Sequence, residues 1–134
     1  MRQRIAFICV ENSCRSQIAE AFARIHGGDR VEAFSAGSAP SGKVNPTAIR
    51  VMGELGYDLS THRSGSVDRL PHGEMDAIVS MGCGDACPTV PTDRRIEWDI
   101  PDPKHLPLEE FRAIRDQIET RVKQILSELL EEEP

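Results

Sequence analysis

The apolar positions change period several times along the chain. Arg4 to Cys9 (RIAFIC) is a short, mostly apolar run of the kind buried on both faces of a parallel sheet. From Ser13 to Ile25 the period lengthens: Ile18, Ala19, Phe22 and Ala23 recur at helical spacing, and Gly27-Gly28 supplies a stop. Val31 to Ala36 reads as a second strand, followed by a Gly/Ser/Pro-rich turn through Asn45. Pro46 falls where the first turn of a helix accepts proline, with Ala48, Ile49, Met52 and Leu55 as its inward stripe. Asp76 to Met81 is a third strand, Gly82 to Arg95 a loop, and Ile96 to Ile100 a short last strand. Leu108, Phe111, Ile114, Ile118, Val122, Ile125 and Leu129 then recur at steps of three and four, which makes a long amphipathic helix.

Strands that alternate with helices predict an α/β fold: a parallel sheet with right-handed crossovers and helices on both faces. No repeat, linker or low-complexity segment divides the chain, so residues 1–134 form one domain, and Glu131-Glu132-Glu133 is a solvated acidic tail. Ligands of such sheets bind beyond the carboxyl ends of the strands. Cys9, Cys83 and Asp102 all follow predicted strands and can meet at one edge.

Composition narrows the possibilities. A chain of 134 residues with 39% hydrophobic content buries a sufficient core without disulfides or structural metal, which frees its four cysteines for chemistry. The longest apolar run, Ile5 to Val10, is far too short to span a bilayer, and no secretory signal pattern follows the Met1-Arg2-Gln3-Arg4 start. A cytoplasmic protein without membrane contact is expected, and in a reducing compartment cysteines are catalytic or metal-binding more often than cross-linked. The net charge of -6 argues against nucleic-acid binding, which needs a basic face. A helix N-terminus and one arginine can still build a small anion site on an acidic protein.

That combination occurs at Cys9-Val10-Glu11-Asn12-Ser13-Cys14-Arg15-Ser16, between the first strand and the first helix. A loop of this length can turn the backbone N–H groups of Val10, Glu11, Asn12, Ser13, Cys14, Arg15 and Ser16 towards one point, with the helix dipole adding positive potential. Arg15 can clasp two oxygens of a tetrahedral anion. A Cys9 thiolate would share that field, with the Ser16 hydroxyl as a further donor, so the loop reads as an oxyanion cradle with a nucleophile at its base. The bland alternative is a buried strand-end thiol and a solvent-facing arginine. Cys14 lies inside the loop and reads as a small packed residue at the helix start.

The second constellation is Cys83-Gly84-Asp85-Ala86-Cys87-Pro88. Four residues apart on one helical turn, two Cα atoms lie about 6 Å from each other, within disulfide range. Gly82 and Gly84 give the backbone room, and Pro88 biases Cys87 away from helical geometry, which suits thiol exchange on a loop that rearranges. Two incidental thiols are the bland reading. A zinc site is a further one, because Cys9/Cys14 and Cys83/Cys87 both have ligand-pair spacing, although it leaves Arg15 unexplained.

Trp98-Asp99-Ile100-Pro101-Asp102-Pro103 holds a carboxylate between two prolines, positioned to protonate a departing oxygen; turn chemistry is the alternative. Gly37-x4-Gly42-Lys43 misses the nucleotide phosphate-loop pattern, since Val44 stands where a hydroxyl must bind magnesium, and reads as a turn. His62 and His72 lack ligand-like spacing and read as polar surface.

The string CVENSCRSQIAEAF resembles the active-site segment of the low-molecular-weight protein tyrosine phosphatase superfamily, and more closely its arsenate reductase branch coupled to thioredoxin. The similarity continues through FSAGSAPSGKVNPTAI, GYDLSTHRS, CGDACP and WDIPDP, in family order and over nearly the whole chain. It implies a three-layer sandwich around a mainly parallel four-stranded sheet and favours Asp102 over Asp99 as the acid. It further implies reduction of arsenate to arsenite, with Cys9, Cys83 and Cys87 as the relay, no metal or organic cofactor, and thioredoxin as the reductant; the short gap between Cys83 and Cys87 leaves glutaredoxin with glutathione as the other donor, and a monomer is expected. Phosphatase action on phosphotyrosine or small phosphomonoesters is the runner-up, but Lys104 and His105 follow the Asp-Pro pair where such phosphatases usually carry aromatic residues. Some members bind potassium beside the loop; Asn12, Glu20 and Ser35 match that pattern, while Gly65 stands where an aspartate is expected, and Asn12 is expected to brace the loop.

Overall fold

The computed structural model describes residues 2–71, 73–82 and 92–130. Four parallel strands, β1 (Gln3–Cys9), β2 (Val31–Gly37), β3 (Ala77–Met81) and β4 (Arg95–Glu97), form one sheet in the order β2-β1-β3-β4. Helix α1 (Arg15–Gly27) connects β1 to β2, α2 (Pro46–Gly53) follows β2, and α3 (Leu108–Leu130) closes the fold. The chain leaves β1 towards β2 on one side and returns to β3 on the other. The carboxyl end of β1, where Cys9 sits, is therefore a topological switch point, the usual place for a ligand in such a sheet.

The pleat of β1 separates two cores. Ile5, Phe7 and Cys9 face the helices and pack with Ile18 and Phe22 of α1 and Phe111, Ile118 and Val122 of α3. Ala6 and Ile8 face the other way, onto Ala36, Met75 and Ile78, with Val67 and Leu70 closing that layer. Phe7 is fully buried and its ring centroid lies 6.0 Å from that of Trp98; Phe7→Ala would cost about 3–5 kcal/mol.

Local chemistry sets the helix ends. Asn45 Oδ1 accepts from Thr47 N at 2.8 Å and Ala48 N at 3.2 Å, and Pro46 occupies the first turn of α2 as expected. After α1 the backbone turns at Gly28, with φ 55°. The buried Arg115 of α3 donates from Nη1 to Val51 O and Glu54 Oε1, each at 2.9 Å, and so ties α3 to the end of α2.

Two details differ from the sequence pattern. Leu55 is 47% exposed, because α2 ends at Gly53, two residues short of the expected stripe, and Val51 is buried instead. The last strand is Arg95–Glu97 rather than Ile96–Ile100. Trp98 and Ile100 are buried as the apolar pattern requires, but they fill the core beyond the strand. No helix among the described residues is long and apolar enough to cross a membrane.

Candidate active site

Residues 9–14 form a loop whose carbonyls are all engaged. Cys9 O accepts from Ser38 N, Val10 O from Ala39 N, Ser13 O from Asn45 N and Cys14 O from Ile18 N. Glu11 O accepts from Ser41 N and Ser64 Oγ, and Asn12 O from Gln17 Nε2. In a trans peptide the next residue's N–H points opposite to the carbonyl. With the carbonyls anchored on the surrounding segments, the N–H groups of Val10 through Arg15 are turned to the other side of the loop. The loop then enters α1, whose first turn has neither a side-chain cap nor an acidic residue to occupy its free donors. That side is a cavity lined by Cys9, Glu11, Ser13, Cys14, Arg15 and Asp102.

Cys9 is buried, with Sγ 2.9 Å from Ser16 Oγ. Asn12 Nδ2 donates to the same Ser16 oxygen at 2.7 Å. Asn12 Oδ1 accepts from Gly65 N and Arg69 Nη2, each at 2.9 Å, which sets the orientation of the amide. Asn12 supplies the hydrogen of one Ser16 bond, which leaves the serine hydroxyl able to donate to a Cys9 thiolate. Asn12 has φ 51°, a left-handed conformation that asparagine tolerates better than most residues and that these bonds hold in place. It braces the loop as expected.

Arg15 is 8% exposed. Its Nη1 donates to Ile100 O at 3.0 Å, and Nη2 lies 3.8 Å from Asp102 Oδ2. Gly82 permits this placement: at φ 81° a Cβ there would come 2.7 Å from Arg15 Nη1. The sequence suggests loop freedom for Gly82, and the structure adds a steric reason. Asp102 Oδ1 accepts from Lys104 N at 3.1 Å, and Lys104 Nζ reaches Glu11 Oε2 at 2.8 Å across the rim. Asp99 is exposed and lines a different hollow, with Trp98 and Ile100, so Asp102 is the carboxylate beside the cavity.

Burial, with Asp102 and Cys9 adding and Arg15 opposing, pushes the Cys14 thiol from 9.0 up to about 12. Cys14 stays protonated and inert beside Cys9 at neutral pH. Cys83, Cys87 and His72 lie outside the described residues.

Spacing alone does not mark the groups that hold the loop from behind. Gln17 is a fully buried polar residue on the inner face of α1, and its Nε2 donates to Asn12 O and Arg63 O, each at 3.0 Å. Its Oε1 is left to accept from His62 Nδ1 at 2.9 Å, so a neutral His62 presents an unprotonated Nε2 to the Tyr57 hydroxyl at 2.6 Å. His62 is therefore a nearly buried brace, with a side chain 7% exposed, rather than polar surface. Desolvation lowers its pKa, Glu20 opposes that, and Arg24 and Arg69 add to it. A larger cleft of about 420 Å3, lined by Glu20, Arg24, Tyr57, His62, Arg63 and Arg69 among others, lies behind Asn12 and includes no cysteine.

The family described as low molecular weight phosphotyrosine protein phosphatase matches residues 4–134. A curated relative, the glutaredoxin arsenate reductase of Synechocystis sp., is 35% identical over 130 residues, 95% of this chain and 98% of its own. A solved structure described as an arsenate reductase in the phosphate binding state superposes with a TM-score of 0.83 at 33% identity, covering 94% of this chain and 98% of that one. The thioredoxin-dependent arsenate reductase of Corynebacterium glutamicum gives a TM-score of 0.76 at 29% identity, over 95% of this chain and 61% of the other.

Proposed function

The chain belongs to the low molecular weight phosphotyrosine protein phosphatase family, and from that premise we propose that it is an arsenate reductase that works by a three-cysteine relay. The observation that carries the oxyanion chemistry is the loop itself: its carbonyls are anchored outward, Arg15 is held at its mouth, and Cys9 sulfur sits beside the Ser16 hydroxyl. Arsenate is an anion of the size and charge that such donors bind.

In this reading the N–H groups of Val10 through Ser16 and the Arg15 guanidinium bind arsenate, and the Cys9 thiolate attacks arsenic. Asp102 protonates the departing hydroxide, which leaves as water. Cys83 then attacks Cys9 sulfur. The electron pair of the sulfur–arsenic bond passes to arsenic, arsenic(V) becomes arsenic(III), arsenite leaves, and a Cys9–Cys83 disulfide remains. Cys87 attacks Cys83 and returns Cys9 as thiolate. The resulting Cys83–Cys87 disulfide is reduced by an external dithiol, in our reading thioredoxin. The roles of Cys83 and Cys87 rest on the sequence and on the similarity to arsenate reductases. The relay itself uses no metal or organic cofactor.

A phosphatase reading shares the cradle, since phosphate and arsenate have the same shape and charge. The Lys104–Glu11 pair weighs against it, because it places a charged bridge on the rim where an aryl group would enter. It also leaves Cys83 and Cys87 without a task. The discriminating experiment measures arsenate turnover with thioredoxin and with glutaredoxin plus glutathione, alongside p-nitrophenyl phosphate hydrolysis. Arsenite production that depends on a reductant system supports the proposal; hydrolysis without arsenate reduction in either system contradicts it.

A further inference from the structure

The back of the anion loop is closed by a guanidinium. Arg69, at the end of the 3-10 turn Val67–Arg69, donates from Nη2 to Asn12 Oδ1 at 2.9 Å and to Ser35 O at 2.7 Å. Its Nε donates to Ser35 O at 3.1 Å and its Nη1 to Arg63 O at 2.6 Å, while Nη2 also lies 3.4 Å from Ser35 Oγ. One fork thus joins the anion loop, the end of β2 and the segment after His62.

These are the surroundings in which the family resemblance implies a potassium ion, and they do not fit one. Asn12 Oδ1 and the oxygens of Ser35 already accept from Arg69. The third matching residue, Glu20, is also engaged: Oε1 accepts from Ser35 Oγ at 2.6 Å, and Oε2 from Arg24 Nε and Nη2 at 2.9 and 2.7 Å. The fourth position is Gly65, which brings no carboxylate. A Cβ there would come 2.7 Å from both Cδ and Nη1 of Arg69, so the missing side chain is the space the arginine uses. A second cation on the same oxygens would be repelled by the guanidinium.

We propose that Arg69 is the resident cation of this site, that the protein does not take up potassium there, and that Arg69 is a positioning residue for Cys9. The path is short: Arg69 fixes Asn12 Oδ1, Asn12 Nδ2 then donates to Ser16 Oγ, and Ser16 Oγ lies 2.9 Å from Cys9 sulfur. A planar fork with five donors can hold three backbone segments at once, which a bound spherical ion does without the same directionality. The inference rests on the proposed function only for Cys9 as the reacting thiol. Its test reads melting temperature and alkylation, neither of which needs arsenate turnover, so it can fail independently of that reading.

The test compares wild type with Arg69→Met, each in potassium, sodium and choline chloride at equal ionic strength. Thermal melts are followed by circular dichroism, and iodoacetamide labelling of the Cys9 peptide is followed by mass spectrometry at neutral pH. A protein that binds potassium melts higher in its presence. The expected result is a wild-type melting temperature indifferent to the three cations, and a roughly tenfold slower labelling of Cys9 in Arg69→Met with folded-state circular dichroism retained. A wild-type melt several degrees higher in potassium than in choline, or wild-type labelling in Arg69→Met, overturns the proposal. Should Arg69→Met fail to fold, Arg69→Gln, which keeps amide donors but loses the charge and the fork, is read in the same way, and wild-type labelling in it is equally fatal.

Discussion

Ser16 Oγ stands 2.9 Å from Cys9 Sγ and accepts a hydrogen from Asn12 Nδ2 at 2.7 Å, so Asn12 holds the hydroxyl beside the sulfur. A hydroxyl at that distance can donate to a Cys9 thiolate and accept from a Cys9 thiol.

Ser16→Ala removes that hydroxyl with little change of shape. Iodoacetamide labelling of Cys9 at neutral pH should slow about tenfold. The Asn12 amide hydrogen is left without its acceptor, so a loss of stability of about 1–3 kcal/mol should accompany it in urea melts. Labelling at the wild-type rate would remove Ser16 from the account.

Asp102 lies beside the cavity with Arg15 as its cationic neighbour. In its proposed role as proton donor to the departing hydroxide it should matter to turnover and little to folding. Asp102→Asn should lower arsenate kcat about 100-fold or more, within the range of lost general acid catalysis. Single-turnover arsenite release within threefold of wild type would assign the role elsewhere.

The Lys104–Glu11 pair bridges the Asp-Pro loop and the anion loop. Lys104→Met should open the rim to aryl groups, so kcat/KM for p-nitrophenyl phosphate should rise severalfold, by an amount corresponding to about 1 kcal/mol, with arsenate turnover kept. Unchanged phosphatase kinetics would show that the bridge does not set selectivity.

Cys14 supplies a prediction with a definite sign. Its folded pKa, about 12, lies above the 9.0 of a free thiol, so above pH 9 the folded state holds more protons than the unfolded state. Stability that is fully present below pH 9 is then lost as pH rises towards about 12. Between neutral pH and about pH 10 the loss from this group is about 1.4 kcal/mol. Urea melts of wild type and Cys14→Ala should show the variant losing less over that interval, while Cys14→Ala keeps arsenate turnover within a few-fold of wild type. Identical pH slopes would contradict the raised pKa.

The first three strands, the two longer helices and the loop at Cys9 are legible in the sequence because each has a local signature. These are an apolar run, a 3.6-residue period, and a cysteine and an arginine at either end of a strand-to-helix turn. Asp102 is legible through its proline flanks and the family pattern. The supports of the loop are not. Arg69 meets Asn12 across 57 positions of sequence and His62 meets Gln17 across 45, and neither contact leaves a periodic trace. Gly82 can be seen as a glycine but not as the space for Arg15, which depends on how β3 and α1 approach each other. The end of α2 is not legible either: the periodicity includes Leu55, which the fold leaves exposed beyond the helix.

The most direct measurement is disulfide mapping by mass spectrometry after one equivalent of arsenate is added to the fully reduced protein, with arsenite counted in the same sample. The account predicts one arsenite per protein and a Cys83–Cys87 disulfide, with Cys9 returned to thiol. It further predicts a trapped Cys9–Cys83 disulfide in Cys87→Ser, and arsenate left unreduced in Cys9→Ser. If Cys9, Cys83 and Cys87 all remain reduced and arsenite is absent, the chain does not work as proposed.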